Sequence, residues 1–127
     1  MNQLHTGLAL ALVVAFSGDG AGAAAPAKED CGAITAQQEM NACFGRAFER
    51  ADAQLNVVYA TVLKGASDDA KGIALLRAAQ RAWVDFRNKN CDWQAHGEEG
   101  GSVYPTEVAT CEIRMTEARI RELQASN

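Results

Sequence analysis

The sequence predicts an all-α fold: a small antiparallel three-helix bundle stapled by two disulfides. Apolar residues recur at helical spacing in three long segments, separated by short stretches rich in Gly, Ser and acidic residues. No run of β-branched or aromatic residues alternates with period two, so no strand is expected. Four cysteines, Cys31, Cys43, Cys91 and Cys111, all follow a leader-like N-terminus. An even number in an oxidising compartment reads as two bridges.

The leader comes first. Leu8 to Phe16 is an apolar run of nine residues, too short to span a bilayer as a helix. Ala21-Gly22-Ala23-Ala24-Ala25 follows and offers cleavage sites after Ala23 or Ala25, although the segment before the run has no Lys or Arg. Residues 1–25 therefore read as a cleaved signal peptide and 26–127 as one domain, with no membrane insertion after cleavage. Cys31 follows Lys28-Glu29-Asp30 rather than a small-residue lipobox, so no lipid anchor is expected. The expected location is the periplasm or the outside of the cell. Cleavage after Ala25 leaves 102 of the 127 residues. A domain of that size has a limited core, which is where covalent staples help most.

The first helix is expected from Ala36, with Thr35 as N-cap and Gln38 completing a capping box. Its inner stripe is Met40, Cys43, Phe44, Ala47, Ala51, Leu55, Val58, Val62 and Leu63, widened by Phe48 and Tyr59. Glu49, Arg50, Asp52, Gln54 and Asn56 take the solvated side, and Gly65 suits the C-terminal end. Ser67 is expected to cap the second helix, with Asp68 and Asp69 in its first turn. Ile73, Leu76, Ala79, Trp83 and Phe86 form that helix's stripe. Gln80, Arg81, Asp85, Arg87 and Lys89 fall off it, and Asp85 stands four residues before Lys89. This helix ends near Asp92–Ala95. The Gly-rich stretch His96–Pro105 breaks it, and a third helix starts with Thr106 as cap and carries Val108, Cys111, Met115, Ala118 and Leu123 inward. Short connections make consecutive helices antiparallel. Leu55, Tyr59, Trp83 and Phe86 are the expected core.

Sequence alone permits three pairings of four cysteines. The predicted geometry favours 31–43, folding the lead-in onto the first helix, and 91–111, closing the Gly-rich loop. Each bridge would contribute roughly 3 kcal/mol in the chain-entropy model.

The chemistry-bearing motifs are mostly absent. No two cysteines stand two to four residues apart and His96 is the one histidine after the leader, so no metal site is expected. The same spacing excludes a C-x-x-C redox pair. Gly101-Ser102-Val103 lacks the second glycine of a nucleophile elbow, since Tyr104 is next and no strand precedes it. There is no phosphate-binding loop and no dinucleotide fingerprint, so no cofactor is expected. The reading is a protein that is not an enzyme. Removing the leader takes away Asp19 and leaves 12 basic against 15 acidic side chains, a net charge of −3. That balance excludes nucleic acid as a partner and favours a basic protein.

The residues Met40-Asn41-Ala42-Cys43, Leu55-Asn56-Val57-Val58-Tyr59, Gln80-Arg81-Ala82-Trp83-Val84-Asp85-Phe86-Arg87, Cys91, Glu99-Gly100-Gly101-Ser102 and Cys111 together resemble the lysozyme inhibitor LprI-like domain. The resemblance covers nearly all of the chain after the leader. It implies a secreted, mostly helical bacterial domain with paired cysteines, of a family named for a member that inhibits lysozyme. Two readings of function follow. In the first, the loop bearing Glu98, Glu99, Ser102 and Tyr104 enters the cleft of a basic lysozyme. In the second, an exposed helix face with Gln80, Arg81 and Arg87 docks another periplasmic protein, the chain serving as an envelope adaptor. The oligomeric state is not written in the sequence.

Overall fold

Residues 29–126 are described by a computed structural model; the expected leader, 1–25, lies outside the described residues. A 3-10 turn, Cys31–Ala33, leads into α1 (Gln37–Gly65). Then come α2 (Ala70–Ala95), a second 3-10 turn (His96–Glu98) and α3 (Tyr104–Ala125). Among the described residues there is no strand.

The path is up, down, up. At one end Asn41 of α1 meets Ser102 and Thr106 at the start of α3. At the other end Leu55 and Val58 pack with Leu123. α1 and α3 therefore run the same way and α2 runs against both, its Cys91 joined to Cys111 and its Gln80 bonded to Arg119. α3 packs on both of the other helices. Leu55, Val58 and Leu123 form the apolar centre, with Tyr59, Val62, Leu76, Trp83 and Ile120 against it. At the opposite end the buried apolar residues are Ala95, Ala109 and the four cysteines of the two disulfides. Cys31–Cys43 and Cys91–Cys111 each have Cα atoms 5.6 Å apart, within the reach a disulfide requires.

Three helices, two bridges and the pairing agree with the sequence reading, but several placements do not. Phe86, expected in the core, is 57% exposed, whereas Gln80 and Arg87, expected on the solvated side, are buried. The inward line of α2 runs through Ile73, Leu76, Gln80, Trp83, Arg87 and Cys91, spacing of three and four throughout. Phe86 falls off that line by one position, and Ala79 is likewise exposed. On α3, Ala118 faces out while Thr116 and Arg119 face in. Polar side chains thus occupy part of the interior, and each buried side-chain nitrogen or oxygen among the described residues has a partner.

The helix starts also shift. α1 begins at Gln37 with Ala36 as its N-cap and no side-chain cap, so the Thr35–Gln38 box does not form. The 3-10 turn and the Cys31–Cys43 bridge already fix how the chain enters. α2 is capped by Asp69 rather than Ser67, its carboxylate accepting from the Gly72 amide at 2.8 Å. A carboxylate at this site also meets the positive end of the helix dipole. A Cβ at Gly72 would make the Asp69 carboxylate swing aside from its present position. α3 starts at Tyr104, two residues early, with Pro105 in its first turn, where a missing N–H costs nothing. Thr106 is therefore inside the helix and buried.

Candidate functional site

The segment joining α2 to α3 is held at both ends and across its middle. The Cys91–Cys111 bridge closes its base. Asn41 Nδ2 donates to the Ser102 carbonyl at 2.8 Å, while Asn41 Oδ1 accepts from Thr106 Oγ1 at 2.6 Å and from Gln37 Nε2 at 2.8 Å. Asn41 uses both ends of its amide to tie the loop to α1. Tyr104, expected as a contact residue, is half-buried and donates its hydroxyl to Asp92 at 3.1 Å. Desolvation and that hydrogen bond push the Tyr104 phenol above its ordinary value. His96 Nδ1 donates to the Trp93 carbonyl at 2.9 Å, and the Gly101 amide donates to the Glu98 carbonyl at 2.8 Å.

Two glycines make the turn feasible. Gly100 has φ of 79°, left-handed backbone that favours glycine. A Cβ on Gly101 would approach the Glu98 carbonyl oxygen to 3.0 Å. The result is a fixed turn that presents Glu98, Glu99 and Ser102 to solvent. Held loops on rigid scaffolds are suited to recognition. Glu98 and Glu99 lie open to water. Among the described residues no group of His, Cys, Asp and Glu could hold a metal ion.

The other expected face does not exist as a surface. Arg81 is exposed, but Arg87 is 4% exposed and Gln80 is 7% exposed. Arg87 spans all three helices. Its Nη1 donates to Asp52 at 2.7 Å and to Thr116 at 2.9 Å, and its guanidinium stands over the rings of Phe48 and Trp83 at 4.9 and 5.3 Å. Arg119 donates from Nε to Gln80 at 3.0 Å and also lies over Trp83, 5.8 Å away. Both arginines hold the bundle together and neither is free to reach a partner.

Sequence reasoning overlooked Asn41 as the loop's anchor and Trp93, which is 69% exposed one turn before the loop. A signal was available for Trp93: it stands seven residues after Phe86, two helical turns along the outer line. A groove of about 460 Å³ also opens between α1 and α3, floored by Phe44, Ala47, Ala51 and Ile113. Glu29 on its rim is paired with Arg46 at 3.1 Å and Arg50 at 3.4 Å. The hydrogen bond from Arg46 leads in holding the Glu29 carboxyl below its ordinary value.

Among the described residues, Glu112 of α3 is the one carboxylate pushed upward. Burial is the largest cause, Arg87 opposes it, and Asp92 and Asp52 add to it. A carboxyl whose pKa is raised on folding binds its proton more tightly in the native state, so stability falls as pH rises above the ordinary value of 4.5. Glu112→Gln is therefore expected to raise the unfolding midpoint more at pH 7 than at pH 4. Thermal unfolding of both proteins at the two pH values checks this.

Comparison with known proteins gives one family model and two uncharacterized relatives. Residues 27–123 match the family model described as Lysozyme inhibitor LprI. The chain is 31% identical over 106 residues to uncharacterized protein R02472 of Rhizobium meliloti (strain 1021), covering 75% of this chain and 76% of that one. It is 29% identical over 98 residues to uncharacterized protein YecT of Escherichia coli (strain K12), covering 67% of this chain and 60% of that one. No solved structure matches. With three helices, two bridges and a family match that spans the whole bundle up to Leu123, the chain belongs to the lysozyme inhibitor LprI family.

Proposed function

We propose that the protein is a secreted inhibitor of a basic lysozyme, and that the tied loop Glu98–Tyr104 is the element that enters the enzyme's cleft. Family membership supports the activity class. The observation that carries the loop assignment is its bracing: a disulfide, the Asn41 amide and the Tyr104–Asp92 bond fix a turn that points two carboxylates at solvent. A preformed loop loses little conformational entropy on binding, which raises affinity without adding contacts. The net charge of −3 left after removal of the leader would steer a basic enzyme toward it. The leader, the two bridges and the lack of a membrane-length apolar helix among the described residues fit a periplasmic or secreted location.

The test is titration of oxidised protein against lysozymes of the c, g and i types in a cell-wall lysis assay. Stoichiometric inhibition of at least one type is expected, weakening as salt rises. Glu98→Gln/Glu99→Gln should lower affinity about tenfold or more, through loss of charge complementarity. Full activity in that double variant would discard the loop while keeping the inhibitor reading; no inhibition of any type would discard the inhibitor reading itself.

A further inference from the structure

Among the described residues, three of the four exposed large hydrophobic side chains stand on α2: Leu75 at 63%, Phe86 at 57% and Trp93 at 69%. Their spacing puts them on one line. Leu75 and Phe86 are eleven residues apart and Phe86 and Trp93 seven, each within about 20° of whole helical turns. Exposed Ala79 and Ala82 lie within about 40° of the same line. The stripe is roughly 27 Å long and turned by roughly 110° from the inward line through Leu76, Gln80, Arg87 and Cys91. Among the described residues its three large side chains each stay more than half exposed.

We propose that this stripe is a self-association surface on which α2 of a second copy packs antiparallel, about a two-fold axis level with Val84. The pattern is self-complementary about that point. Phe86 of one copy falls opposite Ala82 of the other, a ring against a methyl, and Trp93 falls opposite Leu75. Lys89 falls opposite Ala79, where its stem can cover the methyl while the ammonium reaches water. A two-fold axis places each flank of the stripe against the same flank of its mate. That brings Arg81 of one copy toward Asp85 of the other, beside the Asp85–Lys89 pair at 2.8 Å within each chain. Shape matches in this register, while the axis also brings Asp85 near Asp85 of its mate, a like pair that Lys89 at 2.8 Å in each chain and Arg81 beside it offset.

The area sets the strength. A fully buried aromatic side chain contributes about 150–250 Å², so two aromatics, a leucine and two alanines, partly covered already, give on the order of 500 Å² per copy. That is near the lower limit of specific interfaces, and implies a reversible dimer with a dissociation constant of roughly 10–100 μM. Antiparallel pairing leaves the two Glu98–Tyr104 loops at opposite ends and uncovered. The dimer is thus independent of the inhibitor reading.

Sedimentation velocity of the oxidised protein, expressed as the full chain with its leader, tests the surface over about 5–500 μM, bracketing that constant. The weight-average mass is expected to climb from one copy toward two. Phe86→Glu should weaken association more than about tenfold without loss of helical circular dichroism, since Phe86 lies outside the monomer core. Arg81→Asp should weaken it as well, and Arg81→Asp/Asp85→Arg should restore it. A mass that stays at one copy throughout, or a dimer indifferent to Phe86→Glu, overturns the proposal. Failure of the double exchange to restore association overturns the antiparallel register.

Discussion

Replacing Cys91 and Cys111 together by serine is expected to lower the stability of the fold by about 3 kcal/mol and, on the proposed inhibitor reading, to weaken inhibition along with it. The bridge closes a loop with a sequence separation of 20. The chain-entropy relation assigns such a loop roughly 3 kcal/mol. Cys91 is wholly buried and Cys111 nearly so, so the two new hydroxyls would also need partners in a dry setting. The loss should fall unevenly. α2 and α3 keep their own helical hydrogen bonds, but the turn between them loses its base and leans on its Asn41 and Tyr104 ties. Denaturant unfolding gives the global cost, and amide exchange at Gly101 and Tyr104 gives the local one. Cys31→Ser/Cys43→Ser is the control. It opens a loop with a separation of 12, for a similar loss of roughly 3 kcal/mol, yet leaves the Glu98–Tyr104 turn closed. An equal loss of inhibition in both variants would show that global stability, rather than the held loop, governs binding.

Much of the bundle was legible because its helices obey the simplest rule. Leu55, Val58, Leu123 and the cysteines recur at helical spacing on an apolar stripe, and the cysteine pairing follows once the helix order is known. What could not be read was which polar residues turn inward. Hydrophobic periodicity counts a buried Arg87 or Gln80 as solvated, because it measures residue type and not partnership. Arg87 is buried because Asp52, Thr116, Phe48 and Trp83 together replace its water, and those residues are brought to it from three helices. The same rule pulled Phe86 into the core. With Arg87 taking the inward position, its neighbour one residue earlier is rotated out by about 100°. The candidate loop was visible as composition, but its rigidity was not. Asn41 is 61 residues away from Ser102 in the chain, and nothing local marks it as an anchor.

Arg87→Ala should therefore destabilise the bundle by on the order of 3 kcal/mol, an effect no apolar stripe would foretell. The change removes the donor that Thr116, wholly buried, relies on at 2.9 Å and the counter-charge of Asp52 at 2.7 Å. Asp52 keeps 37% of its side-chain surface exposed, so water can recover part of its solvation. That places the loss at the lower end of the range for breaking a buried pair. The remainder comes from two ring contacts and from the space left by the guanidinium between Phe48 and Trp83. The conservative variants separate these causes. Arg87→Lys keeps the charge but not the planar fork, so it should recover the Asp52 attraction and lose the ring stacking and one of the two Nη1 bonds. Arg87→Met fills the space and keeps neither bond. If charge pairing dominates, Lys should outperform Met; if packing between the rings dominates, Met should match or exceed Lys. Denaturant midpoints of the three variants at pH 7, measured with both disulfides intact, decide between the two.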